Sequence, residues 1–268
     1  MERIYKNTGE QMIEKYIKEK RNSKDILLMT HLVIGHPSLE ENYKVIDAMV
    51  EYEVDLIELQ IPFSEPTADG PVILKANHNA LKQNIKIQDC FKLIQKVSSQ
   101  YPQIPFLIMT YYNILFCNGE KQFVKEAKNN GIKGFIIPDL PPEEAGNYLE
   151  ICRTENLDTI FIFTPTNSPD RLKEISESST GFIYCIGRKG VTGTKTTFNQ
   201  ETLELVKRYK KATNLPLAMG FGIQERSDIE LLKGQVDIAV IGSKLIQIQE
   251  KEGLNGIKSF LKEVSFVI

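Results

Sequence analysis

Short apolar runs alternate with amphipathic stretches along most of the chain. The stretches between the runs carry apolar residues at helical spacing, whereas the runs themselves are short and rich in β-branched and aromatic residues. This alternation is typical of repeated βα units around a parallel sheet. Eight runs are predicted as strands, at 26–33, 54–59, 104–110, 132–138, 159–164, 181–186, 215–219 and 236–242.

The segments between the runs predict helices. The first begins at "PSLEEN", where Ser38 and Glu41 have the spacing of a capping box. Others are predicted at 72–82, 88–100, 119–130, 142–154, 169–178, 200–211, 225–233 and 253–264. Residues 8–21 predict an extra helix that would close the floor of a barrel.

The number of predicted strands decides the fold class. Eight strands are typical of an α/β protein with a closed (β/α)8 TIM barrel, although a doubly wound open sheet would share the same alternation. We see no linker-like tract, so we expect residues 1–268 to form a single domain with the extra N-terminal helix.

Composition narrows the class of protein further. With 33 Lys and Arg against 35 Asp and Glu, the net charge of −2 does not predict a nucleic-acid or membrane-surface binder. The four cysteines form no C-x-x-C pair and predict neither a zinc knuckle nor a disulfide scaffold. The N-terminal segment does not resemble a signal peptide, and no apolar run approaches the about 18 residues of a membrane span. We expect a soluble, cytoplasmic protein.

The stretch "ELQIPFSEPTADGP" follows the second predicted strand with two acidic residues of special interest. Strand alternation places Glu58 on the same face as Leu56 and Gln60, pointing into the barrel mouth, where active sites of this fold lie. Glu58 could exchange protons there, or form a salt bridge with a Lys or Arg. Asp69 could accept a hydrogen bond from a ligand N–H and stabilise positive charge on that nitrogen, or it could cap the helix that begins near Pro71.

The loops after the last two strands have the composition of a phosphate site. "AMGFGI" and "IGSKL" lie where TIM barrels commonly hold a phosphate on backbone N–H groups and a helix N-terminus, although glycine after a strand is also ordinary turn chemistry. The loop "GRKGVTGTKTTF" combines glycines, hydroxyls and cations, so it could be a lid over an anionic substrate or a disordered surface loop.

The sequence does not decide whether the aromatic and histidine residues near the mouth line the pocket or pack in the core. Tyr184 and Tyr111 could line the pocket, or they could pack in the barrel core. The three histidines have no metal-ligand spacing, so no metal site is predicted. His31, near the end of the first strand, could face the pocket or pack in the core.

These motifs together resemble the tryptophan synthase alpha chain family. "ELQIPFSEPTADGP" is similar to the family signature E-L-G-x-P-F-S-D-P-x-A-D-G-P, and the family order continues through "MTYYNILF", "FIIPDLPPEE", "GRKGVTGT", "GFGI" and "IGS". The resemblance implies a TIM-barrel lyase that cleaves indole-3-glycerol phosphate to indole and glyceraldehyde 3-phosphate in tryptophan biosynthesis, with no cofactor in this chain.

The resemblance also implies roles for individual residues. Glu58 would be the acid/base that shuttles a proton, and Asp69 would hold the indole N–H. The remaining positions would bind substrate through the lid, the phosphate loops and the aromatic walls; they are Thr192, Gly193, Gly222, Gly242, Ser243, Tyr184 and Tyr111.

The family acts with a beta chain that carries pyridoxal phosphate, in an alpha2beta2 heterotetramer through which indole passes between subunits. The resemblance makes Asp139 a candidate for coupling to that partner. This chain departs from the family pattern at Gln60, Glu65, Leu74, His31 and His36. Two other hypotheses stay open: a weakly active alpha-like partner that chiefly activates a beta chain, and a barrel that acts on another phosphorylated molecule.

Overall fold

A computed structural model describes residues 12–187, 200–220 and 222–266. In these residues nine strands form one sheet in which all neighbours are parallel. The strands are β1 (Leu27–Val33), β2 (Leu56–Gln60), β3 (Phe106–Met109), β4 (Gly134–Ile136), β5 (Asp158–Ile160), β6 (Ile162–Phe163), β7 (Ile183–Ile186), β8 (Leu217–Gly220) and β9 (Ile238–Ile241). Their spatial order is β5-β4-β3-β2-β1-β9-β8-β7-β6.

The barrel closes at the fifth predicted strand, which the structure divides in two. β5 pairs with β4 and β6 pairs with β7, and only Phe161 separates the two segments along the chain. The backbone continues across the change of partner, because the Tyr184 N–H donates to the Phe161 carbonyl at 3.0 Å. The predicted TIM barrel is therefore confirmed, and the ninth strand arises because one strand changes partner.

Helices pack around the strands, and most of them connect one strand to the next on the outside of the barrel. They are α1 (Met12–Arg21), α2 (Leu39–Glu51), α3 (Pro71–Lys82), α4 (Ile87–Gln100), α5 (Tyr112–Asn118), α6 (Glu120–Asn129), α7 (Gly146–Glu155), α8 (Pro169–Ser178), α9 (Gln200–Ala212), α10 (Arg226–Leu232) and α11 (Ser243–Ser265), with a short 3₁₀ helix at Pro142–Glu144. Within the described residues, no helix is both long and apolar enough to cross a membrane.

Two helices differ from the sequence prediction. Helix α5 is not predicted, because "YNILFCN" is too short to show helical periodicity. Helix α11 starts at Ser243, ten residues before the predicted 253–264. The prediction missed this first part because "LIQIQ" alternates like a strand. Gly253 interrupts α11 with φ 64° and ψ −157°, a conformation that is almost confined to glycine.

The start of α2 shows half of the predicted capping box. The Ser38 side chain accepts a hydrogen bond from the Glu41 N–H at 3.2 Å, which satisfies one free donor of the first turn. The Glu41 side chain instead pairs with Lys44 at 2.9 Å.

Helix α1 covers the floor of the barrel. Ile13 and Ile17 are fully buried in the same apolar cluster as the inward-facing strand residues. The Ile13 N–H donates to Asp158 Oδ2 at 3.1 Å, and the Tyr16 hydroxyl donates to the Asp55 carbonyl at 3.0 Å. Both acids lie at the N-terminal ends of strands, so α1 closes the end opposite the expected site.

Candidate active site

Glu58 points into the barrel, as strand alternation predicts. Its neighbour Leu56 belongs to the interior cluster, while Ile57 and Leu59 belong to the cluster between the strands and the helices. Glu58 is only 3% exposed, and it is aligned with His31 of the adjacent strand β1. Because both side chains lie on the inward face of aligned strands, a carboxylate and an imidazole come together near the barrel mouth.

Among the described residues, the ion-pair partner of Glu58 is His31. The sequence had also allowed a salt bridge with a Lys or Arg. His31 Nδ1 lies 3.3 Å from Glu58 Oε1. Burial lowers the pKa of His31, but the nearby charges of Glu58 and Asp69 outweigh burial and leave that pKa above its usual value. Glu58 Oε2 has no hydrogen-bond partner among the described residues.

Asp69 is held by two donors that do not belong to a helix cap. Its Oδ2 accepts from Gln60 Nε2 at 2.7 Å and from the Tyr111 hydroxyl at 3.0 Å. The N-cap of α3 is Gly70, so the capping reading of Asp69 is wrong. Burial raises the pKa of Asp69 above its usual value, against the opposing effects of His31 and the two hydrogen bonds.

Both carboxylates face one cavity at the C-terminal ends of the strands. Its walls are largely aliphatic, and polar groups are concentrated at a few places, which is the usual composition of a small-molecule site. The aliphatic side chains include Ile73, Met109, Ile136, Ile162, Ile186 and Val240. The polar side chains are His31, Glu58, Asp69, Tyr184, Gln224, Ser243 and Lys244.

The cavity also has a place suited to an anion. Helix α11 begins at Ser243 directly after its N-cap Gly242, so its free N–H groups and the positive end of its dipole lie at the cavity wall. Ser243 Oγ is buried with no hydrogen-bond partner among the described residues. Gly222, with φ 72°, and Lys244 line the same cavity.

Of the two predicted aromatic residues, one lines the cavity and the other stands behind it. Tyr184 lines the wall, and a Cβ atom on Gly220 would lie 2.9 Å from its hydroxyl, so only glycine leaves this ring in place. Tyr111 is 1% exposed, stacks on Phe63 with ring centroids 5.1 Å apart, and reaches the site through Asp69. Its position favours a supporting contact.

Two predicted residues, Thr192 and Gly193, lie outside the residues that the structure describes. Three polar side chains that line the cavity, His31, Gln224 and Lys244, were not predicted as site residues, although the sequence left open that His31 faces the pocket. His31 lies at an inward-facing position of its strand, two residues after Met29, and Lys244 follows Ser243 in "IGSKL". The sequence could therefore have indicated both residues. In the described ranges, no cluster of three or more His, Cys, Asp or Glu could hold a metal ion.

Comparison with known proteins agrees with the motifs. The family model for the tryptophan synthase alpha chain matches residues 17–266. The alpha chains of Desulforapulum autotrophicum and Syntrophotalea carbinolica are both 47% identical to this chain; the alignments cover 95% and 94% of this chain, respectively, and 100% of each relative.

This chain belongs to the tryptophan synthase alpha chain family. Membership confirms the predicted activity, the lyase half-reaction of tryptophan synthase that cleaves indole-3-glycerol phosphate. Solved structures agree on the fold. A Mycobacterium tuberculosis tryptophan synthase superimposes with a TM-score of 0.90 at 28% identity, covering 97% of this chain and 99% of that chain. A Pyrococcus furiosus tryptophan synthase complex gives 0.81 at 31% identity, covering 90% and 98%.

Proposed function

We propose that Glu58 and Asp69 carry out the cleavage of indole-3-glycerol phosphate in the cavity at the barrel mouth. The observation that carries the proposal is that these two carboxylates and the N-terminus of α11 face the same cavity. The aliphatic walls suit an indole ring, and the helix N-terminus suits a phosphate.

The proposed reaction transfers one proton in and one proton out. Glu58 delivers a proton to C3 of the indole, which leaves a positive charge shared with the ring nitrogen. Asp69 accepts a hydrogen bond from that N–H and stabilises the charge. Glu58 then takes the proton of the hydroxyl next to the ring, the carbon–carbon bond breaks, and its electron pair restores the aromatic indole as the aldehyde forms. Atoms and charge balance with these side chains alone.

The phosphate is proposed to bind at the backbone of Gly222 and Gly242 and at the hydroxyl of Ser243. The support is the buried Ser243 Oγ, which has no partner in the described part of the chain and lies at the first turn of α11. Thr192 and Gly193 are proposed to complete substrate binding. Tyr184 would contact the indole, and Tyr111 would keep Asp69 in place.

We also propose the family assembly for this chain: an alpha2beta2 heterotetramer in the cytoplasm, with pyridoxal phosphate in the beta chain. The solved Pyrococcus furiosus neighbour is a complex, which supports a beta partner. Asp139 accepts from the Tyr112 N–H at 2.9 Å at the start of α5 and stays a candidate for coupling. The pairing of β1 with β9 supports one domain over 1–268, because it joins strands from distant parts of the chain.

Release of indole from indole-3-glycerol phosphate tests the proposal, with and without an added beta chain. We expect Glu58→Gln and Asp69→Asn to lower kcat by about 100-fold or more, the size typical of removing an acid/base group. Glu150→Gln, on the exposed surface of α7, is a matched control and should keep wild-type turnover. Turnover near wild type in either site variant would refute its role.

The same assay separates the lyase from the alternative partner role. A wild-type chain that releases no indole, yet accelerates the reaction of the beta chain, would be an activator. The geometry favours the lyase over the activator, because both acids of the proposed chemistry face the cavity.

A further inference from the structure

The contact between His31 and Glu58 has no part in the proton transfers described above. Both side chains are almost inaccessible to solvent, and the strand register sets their Cα atoms opposite one another. The two residues therefore form a fixed pair within the wall of the cavity and not a mobile surface contact.

The two oxygens of Glu58 have different surroundings. Oε1 lies 3.3 Å from His31 Nδ1, while Oε2 is buried without a hydrogen-bond partner among the described residues. Glu58 lines the cavity, and Oε2 is the oxygen that no described residue holds. A carboxylate that is held at one oxygen loses rotational freedom and presents the other oxygen in a defined direction.

We propose that His31 is a positioning residue for the lyase reaction: it holds Oε1 of Glu58 through Nδ1 and directs Oε2 to the reacting atoms. This proposal rests on the proposed role of Glu58. His31 acts through Glu58, so it is not itself a catalytic residue.

Several titratable groups surround this imidazole. Glu58 faces it from β2, Asp69 from the loop after β2, Tyr184 from β7 and Lys244 from α11, all around the main cavity. His36 shares a second, smaller cavity with His31. The two carboxylates favour the cationic imidazole and outweigh its burial, so the pKa of His31 is above its usual value.

Two substitutions separate positioning from packing. His31→Phe keeps an aromatic ring but removes the donor, and we expect kcat for indole release to fall at least tenfold with KM changed less than threefold. His31→Asn places an amide donor near the position of Nδ1, so we expect kcat to stay within threefold of wild type. In His31→Asn the pH profile should lose the limb that reports the titration of His31, because asparagine does not ionise. The exposed His78→Asn is the matched control.

Imidazole NMR tests the pair without any substrate. The chain has three histidines, so the ring signals of His31, His36 and His78 can be assigned by single substitutions. We expect the pKa of His31 to fall in Glu58→Gln, and the ring signals of the exposed His78 serve as the internal control. This measurement remains informative even if the wild-type chain releases no indole, which would refute the proposed function separately.

Three results would overturn the proposal. The first is a His31→Phe enzyme with kcat within twofold of wild type. The second is an equal loss in the Phe and Asn variants with an unmoved pH profile, which would indicate packing alone. The third is a His31 titration that does not respond to Glu58→Gln; it would decide against the pair even if the Phe variant fails to fold.

Discussion

Replacing Gln60 by methionine should move the pH dependence of catalysis. Gln60 is fully buried and donates to Asp69 Oδ2 at 2.7 Å, while Tyr111 donates to the same oxygen at 3.0 Å. Methionine has a similar length and no donor, so Gln60→Met removes one of these two bonds and keeps the side-chain volume close to that of glutamine.

The size of the effect follows from the type of bond. A hydrogen bond to a charged group contributes about 1.5–3 kcal/mol, and 1.36 kcal/mol corresponds to one pKa unit. Gln60 favours the ionised form of Asp69, so its loss favours the protonated form. If Asp69 must be ionised for catalysis, the acidic limb of kcat/KM moves to higher pH by about one to two units.

The assay is indole release from indole-3-glycerol phosphate by wild type and variant across the same pH series. The substrate phosphate itself titrates near pH 6, at about the same value for both proteins, so the difference between the two curves reports the enzyme. Gln122→Met, at an exposed position of α6, is the matched control. An acidic limb that moves by less than about 0.3 unit would refute the link between Gln60 and an ionised Asp69, because the loss of even a weak hydrogen bond should exceed it.

Tyr111→Phe completes a double-mutant cycle on the same oxygen. Because Gln60 and Tyr111 share one acceptor, we expect the effects of Gln60→Met and Tyr111→Phe on the acidic limb to be non-additive. Purely additive shifts would mean that the two donors act on different groups.

Three further predictions concern stability and phosphate binding. Burial is the main cause that raises the pKa of Asp158 to about 6, so the folded chain keeps a proton there that the unfolded chain releases. Stability should therefore fall by about 3 kcal/mol as pH rises from about 4 to 6, and Asp158→Asn, which can still accept from Ile13, should remove this slope in urea unfolding. Gly253→Ala should lower the free energy of unfolding by about 1–3 kcal/mol without loss of indole release, because φ 64° and ψ −157° disfavour a side chain; Gly146→Ala, where a Cβ meets nothing within 4 Å, is the control. Ser243→Ala should raise KM and the inhibition constant of glyceraldehyde 3-phosphate about two- to tenfold with kcat retained, since it removes one phosphate donor; unchanged constants would place the phosphate elsewhere.

The strand pattern predicted the direction of Glu58 because alternation is a local property. A period of two residues places Leu56 and Glu58 on one face whatever the rest of the chain does, and the interior cluster confirms it. The phosphate loops were predicted for a related reason, since their position after the last two strands follows from the strand order.

Features that depend on register or on long-range contacts could not be read in the same way. The pairing of His31 with Glu58 needs the alignment of β1 with β2, which no local pattern encodes. Asp69 looked equally like a helix cap, because its donors come from Gln60 and from Tyr111, which lies 42 residues away along the chain. The change of strand partner at Phe161 likewise depends on closure of the barrel.

Two of the departures from the family pattern, His31 and Gln60, contact the two carboxylates of the site. His31 lies against Glu58, and Gln60 donates to Asp69, so each of the two carboxylates contacts one of the departures expected from the sequence. Gln60 favours the ionised form of Asp69, although burial raises the pKa of this acid. Gln60→Met combined with His31→Phe should leave a folded barrel with a lower kcat and an acidic limb moved to higher pH, because the first substitution acts on Asp69 and the second on the position of Glu58. A double variant with the wild-type kcat and pH profile would mean that neither departure tunes the site.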